Sequence, residues 1–494
     1  MRPMRIKPTA IILFLLFLTS CFVLSGCETQ ASLTKKRVRQ IEKGLLRAVY
    51  IKGSKIDKMP LTRRMEFYKV PGVNIAVIDR YQVEWEKAYG YRDIRDFLPL
   101  TTESLFQAGG LSRPLAAAAV LGLAAKGRID MDEDLASFFR SWNIPPSAPG
   151  SQRVDKITPR TLLAHSSGLW GQIFPGYPGK DLLPDIRQVL AGEKPAVNLP
   201  VLAGIEPEKI RESESGYVIL QMLLTDLEGK AFPRIMKETV LDPLGLKNST
   251  FEVVLPPELK DRAASGHLRE GRAVEGGWLI YPESAAKGLW TTPGDYAAFL
   301  VEILGEAMGR SSRLLSHESA RTMLTPQAGN QSFGFTVEGI GEEANFNVRG
   351  KTGGYSCFAI VLPERGQGVV VMTNSENGGL LIEEILRAVS AAYGWGLFKP
   401  EEKALFRLDP SIYQDYVGLY EVAPDYHLDV SFEDYYLIIQ PTGQARTKFY
   451  VESQTVFFSV DPYIRIQFRR DDKGAVNGLV LWQQDFEQKA GKVR

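Results

Sequence analysis

The sequence is poor in the residues from which metal centres and redox sites are built. Its 494 residues include three cysteines, Cys21, Cys27 and Cys357. Their spacing matches neither a zinc cluster nor a CxxC redox pair. The four histidines, His165, His267, His317 and His427, stand far apart, and neither HExxH nor GxSxG occurs. A metal site and a nucleophile elbow therefore have no support, and no cofactor is expected. Net charge is +1, with acidic and basic residues interspersed, which argues against nucleic acid or a strongly charged surface as partner. The remaining composition, 44% hydrophobic and 24% charged, is that of a globular protein whose length predicts two or three domains.

A long apolar run occurs at the N-terminus. MRPMRIK is basic, TAIILFLLFLTSCFVL is apolar, and LSGC (Leu24 to Cys27) follows. The run is shorter than the roughly 18–20 residues of a membrane-spanning helix, and small residues before a cysteine suit processing. The pattern resembles the lipobox of bacterial lipoproteins. That resemblance implies a signal peptide over residues 1–26 and a lipidated Cys27 as mature N-terminus. The protein would then be anchored to a membrane of the bacterial cell envelope on its periplasmic or extracytoplasmic face. Cys21 would be removed, and Cys357, on an apolar strand, would be left as a lone thiol.

Residues 27–58 are polar and basic and read as a tether with a short helix. VNIAVI (73–78) and VEWEKAYGY (83–91) read as a strand pair around the turn DRYQ, predicting an antiparallel hairpin. LAAAAVLGLAAK is rich in helix formers, with Pro114 in its first turn and Gly127 at its end. FAIVLPE and GVVVMTN predict two further strands, and LLIEEILRAVSAAYGW an amphipathic helix that covers the sheet. Residues 405–494 break into short alternating runs such as YYLIIQ, TVFFSV and YIRIQF, the mark of a small all-β domain.

VPGVNIAVID, LFQAGGLSRPLAAAAVLGLAAKGRIDMDEDL, LLAHSSGL, ESESGYVILQ, VLDPLGLKNSTF, GLWTTPGDYAAF and LPERGQGVVVMTNSENG occur in this order. They resemble the serine β-lactamase and penicillin-binding-protein superfamily, in the branch near class C enzymes. The resemblance implies an α+β fold over residues 59–397, an antiparallel sheet flanked by helices with a helical subdomain, followed by the all-β domain. It also implies three motifs. The first, S-x-x-K, falls on Gly110-Leu111-Ser112-Arg113. Glycine offers no nucleophile, and an arginine with pKa above about 12 is no base near neutral pH. The second, Y-x-N or Y-S-G, falls on Glu212-Ser213-Glu214. The third, K-T-G or H-x-G, falls on Val348-Arg349-Gly350 when GYSCFAIVLPERG is aligned without gaps. A three-residue deletion would instead place it on Lys351-Thr352-Gly353, an apparent KTG. The backbone N–H of Gly110, with that of Lys351 or Gly354, would retain an oxyanion-hole pair.

With all three motifs altered, the leading expectation is a homologue that has lost acyl-enzyme chemistry and binds a cell-wall peptide, an acyl ligand or an envelope protein. The alternative is an active hydrolase of esterase, β-lactamase or D-amino-acid peptidase type. Its rebuilt chemistry would use Glu212 or Glu214 as base, or Ser112 as surrogate nucleophile. A third reading makes the β-domain the working part. His165 reads as part of a structural loop. Arg113 and Glu212 carry opposite charge at facing positions, so a salt bridge between them is expected, joined by Glu214 or Arg349.

Overall fold

The computed structural model describes residues 29–135, 138–139, 156–169, 174–204, 213–484 and 486–493. Helix α1 covers Gln30–Lys43 and α2 Leu61–Tyr68. Strands β1 (Gly72–Asp79) and β2 (Gln82–Asp93) form the hairpin, its turn made by Arg80 and Tyr81 at φ 53° and 62°. Both central residues at positive φ suit the right-handed twist of the flanking strands. Then come β3 (Leu98–Pro99), α3 (Ser112–Ala125), α4 (Glu214–Glu228) and α5 (Pro293–Ala307). β4 (Thr336–Glu338), β5 (Asn345–Thr352), β6 (Tyr355–Leu362), β7 (Gln367–Thr373) and α6 (Gly378–Tyr393) complete the domain.

The seven strands form one antiparallel sheet in the order β3-β2-β1-β7-β6-β5-β4. Side chains two apart share a face, and both faces are apolar. Ala76, Ile78, Ala359, Val361, Val370 and Met372 pack against the helical side that holds α3, α4 and α5. Val73, Ile75, Val77, Phe358, Ile360 and Val371 pack against α6 and the N-terminal helices. This is the α+β architecture expected from the sequence. The all-β expectation for the C-terminal region also holds. Eight strands between Gly418 and Lys492 close into a barrel around Tyr416, Tyr420, Phe457 and Phe468.

The stretch expected to be a tether is docked. α1 buries Ile41 in the core, Arg37 reaches Asp79 and Glu84 at 3.0 and 3.4 Å, and Val49–Ile51 pairs in parallel with Glu401–Lys403. Apolar residues at helical spacing found a face to bury, which composition alone did not reveal. The barrel is held by Arg64, buried on α2. Its guanidinium meets Glu384 at 2.6 and 2.7 Å and Asp461 at 2.6 and 2.9 Å. Residues 1–28, with the expected signal peptide and Cys27, lie outside the described residues. Among the described residues, no helix is long and apolar enough to cross a membrane.

Candidate active site

α3 is entered through a single 3-10 turn, Gly109–Leu111, buried against β5. Contact there is backbone to backbone, and three glycines allow it. Gly109 has φ 55°, and a Cβ on it would stand 2.6 Å from the Lys351 nitrogen. A Cβ on Gly350 would overlap the Ala108 carbonyl oxygen. A Cβ on Gly110 would overlap the Arg349 carbonyl oxygen and stand 2.7 Å from Arg113 Nη2. The position assigned to the nucleophile thus lacks a hydroxyl, and strand backbone and a guanidinium occupy the space a side chain would need.

The register of β5 bears on the two readings of the third motif. Gly350 packs on the turn before α3, and Val348 is buried in the same helical-side core. Arg349 belongs to the other face, its guanidinium 4.8 Å over the ring of Phe358, with which it pairs across the strands. Lys351, two residues on, shares that other face and is exposed. Thr352 and Gly353 lead into the turn before β6, where the Gly353 N–H donates to Tyr281 Oη at 2.9 Å. The geometry favours Val348-Arg349-Gly350 as the segment facing Gly110.

Ser112 does not stand ready as a nucleophile. It is buried; its hydroxyl donates to the Gly109 carbonyl at 2.7 Å and accepts from the Leu289 N–H at 3.0 Å. It fastens the start of α3 to the segment that leads into Trp290–Thr291. Arg113 is buried too, its Nε donating to the Gly110 carbonyl at 3.1 Å and its Nη1 3.3 Å from His165 Nε2. His165 Nδ1 accepts from the Ser213 N–H at 3.0 Å. His165 therefore joins the loop, α3 and the entrance of α4, in keeping with a structural role.

Glu212 lies outside the described residues, and with it the expected pair to Arg113. Glu214, the first residue of α4, does not join such a pair: its carboxylate is 3.1 Å from Lys287 Nζ, which also donates to the Phe174 carbonyl at 3.2 Å. Beside them Glu283 is fully buried, its two oxygens without hydrogen-bond partners. Burial pushes its carboxyl up from the ordinary 4.5 to about 7. Sequence reasoning missed Lys287 and Glu283. The one available signal was their place in ESAAK, directly before the quoted GLWTTPGDYAAF. Cys357 is buried on β6, and burial pushes its thiol up to about 12, so it is inert as a nucleophile.

A cavity of about 410 Å³ adjoins the site, lined by Arg113, His165, Val348, Arg349, Asn347 and Glu338 among others. Two arginines and the amide side chains of Asn345 and Asn347 among its lining residues suit a polar ligand bearing a carbonyl or carboxylate. Among the described residues no group of histidine, cysteine and carboxylate side chains could hold a metal ion.

The Beta-lactamase family profile matches residues 61–392. Penicillin-binding protein 4* of Bacillus subtilis (strain 168) is 22% identical over 83% of this chain and 92% of its own length. Protein flp of Staphylococcus aureus (strain N315) is 20% identical over 67% of this chain and 65% of its own. Among solved structures, the octameric penicillin-binding protein homologue from Pyrococcus abyssi superposes with a TM-score of 0.58 at 21% identity. It covers 87% of this chain and 98% of its own. The profile match spans the whole sheet-and-helix domain, Gly110 and β5 included, and the chain belongs to the beta-lactamase family.

Proposed function

We propose that this member of the beta-lactamase family has given up acyl-enzyme chemistry and works by binding. The ligand would be a cell-wall peptide, an acyl compound or an envelope protein, met at the bacterial cell envelope where a lipidated Cys27 anchors the chain. The observation that carries the reading is the closure at Gly110. No oxygen is present to attack a carbonyl, and the Arg349 carbonyl and the Arg113 guanidinium take the room of a side chain. The neighbouring groups support it. Arg113 cannot serve as a base near neutral pH, the Ser112 hydroxyl is committed on both sides, and Glu214 is held by Lys287. The cationic cavity beside Arg113 suits ligand binding, and one relative is named for penicillin binding.

The test is covalent labelling of the purified chain with a fluorescent penicillin and a fluorophosphonate, read by intact mass. The expected result is no adduct. A stoichiometric adduct that disappears in Ser112→Ala would make Ser112 the nucleophile and return the protein to the hydrolases.

A further inference from the structure

The near-zero net charge of the whole chain hides a concentrated basic segment. Residues 35–58 hold nine lysines and arginines against two acidic residues, while the full chain nets only +1. The fold turns part of this segment into a surface. On α1, Lys35, Arg39 and Lys43 recur every four residues and so share one face. Together with Lys36 and Lys58 they rim a groove of about 540 Å³ whose floor is small, formed at Ala388 and the end of α6. All five cations are exposed.

The opposite side of α1 is fixed. Ile41 is in the core, and Arg37 is tied to Asp79 and Glu84 and lies over the Tyr393 ring. Glu42, the acidic residue within the helix, is engaged by Lys87 at 2.6 Å. The cationic face is therefore presented by a docked helix and is not neutralised by that carboxylate.

We propose that this groove is a docking surface for the anionic headgroups of a phospholipid bilayer, holding the domain flat against the membrane that anchors it. The proposal deepens the envelope reading and rests on it for its occupant. Three observations select a bilayer. The cations spread over eight residues of helix, about 12 Å, which suits several headgroups rather than one phosphate. Four of the five are lysines, point charges that attract a diffuse anionic surface rather than clamp one oxyanion. On that reading the lipid is carried by Cys27, and α1 begins at Gln30. The two residues between them span at most about 7 Å, so the membrane holding the lipid lies within reach of the groove.

The test uses the full chain and sedimentation with two vesicle types, pure phosphatidylcholine and phosphatidylcholine with one quarter phosphatidylglycerol. Each cation near an anionic surface contributes about fivefold in affinity. The intact chain should therefore prefer the anionic vesicles at least tenfold at 0.1 M salt and lose the preference at 0.5 M. Lys35→Gln, Arg39→Gln, Lys43→Gln and Lys58→Gln combined should abolish the preference while leaving the melting temperature unchanged, since all four side chains are exposed. Equal binding of the intact chain to both vesicles, or a preference kept by the quadruple variant, overturns the proposal. The anchor is read separately: Cys27→Ala should release the protein from cell membranes into wash at high salt. Unchanged retention there would count against lipidation, whereas the anionic preference reports on the groove alone.

Discussion

Placing a serine at position 110 tests the closure of the site most directly. Gly110 lies in the 3-10 turn and is not among the residues with positive φ, so the backbone tolerates a side chain. Lower entropy of the unfolded chain would by itself add about 0.4–1 kcal/mol of stability. Against this stands overlap with two neighbours. The Arg113 guanidinium, 2.7 Å from the new Cβ, is the end of a flexible side chain and can swing. The Arg349 carbonyl belongs to β5, which is paired with β6 along its length, and yields only if strand and turn separate. Overpacking of this kind costs about 1–3 kcal/mol, so overlap wins, and Gly110→Ser should be net destabilised by about 1–2 kcal/mol. In a domain of this size that is a fall in melting temperature of about 1–3 °C. The assay is thermal unfolding by circular dichroism, paired with penicillin labelling. Gly110→Ser should stay unlabelled, because no base stands beside the new hydroxyl. A serine variant that melts at or above the parent temperature and forms an acyl adduct would show that the space exists. The closure reading would then fall.

Two further outcomes follow from buried charge. Arg64→Met leaves Glu384 buried without a counter-charge, with only the Tyr68 hydroxyl still donating to it, and chemical denaturation should show a loss of about 3–5 kcal/mol. Arg64→Met with Glu384→Leu should recover most of it, since apolar replacement of a buried pair is often neutral. If the double variant is no better than the single, the loss lies elsewhere than in the orphaned carboxylate. The carboxyl of Glu283 is raised by burial from 4.5 to about 7. The folded state therefore holds this proton more tightly than the unfolded chain. The resulting stability is fully present below pH 4.5 and is lost as pH rises to about 7, a change of roughly 3 kcal/mol. Unfolding free energies of Glu283→Gln, measured across that window, should lack this component; a difference from the parent that does not change with pH would refute it.

The sequence by itself determined whatever depends on residue type or on a short period. The apolar runs at VNIAVI, FAIVLPE and GVVVMTN, rich in β-branched residues, and the helical period of LLIEEILRAVSAAYGW are local patterns, so the sheet and its covering helix α6 were legible. The missing hydroxyl at Gly110 and the guanidinium at Arg113 are chemical facts of the chain. Tertiary structure decided whatever depends on what stands opposite. VRG and KTG are adjacent in sequence, and only the pairing of β5 with β6 sets which residues face the turn at Gly110, because neighbouring side chains point to opposite faces. Ser112 looked available until Leu289, distant in sequence, donated to it. Glu214 looked like a partner for Arg113 until Lys287 arrived from the far side. The basic N-terminal segment looked like a solvated tether until α1 buried Ile41 and lined its cations along one groove. Such partners lie tens to hundreds of residues away, and local pattern carries no record of contacts that only folding makes.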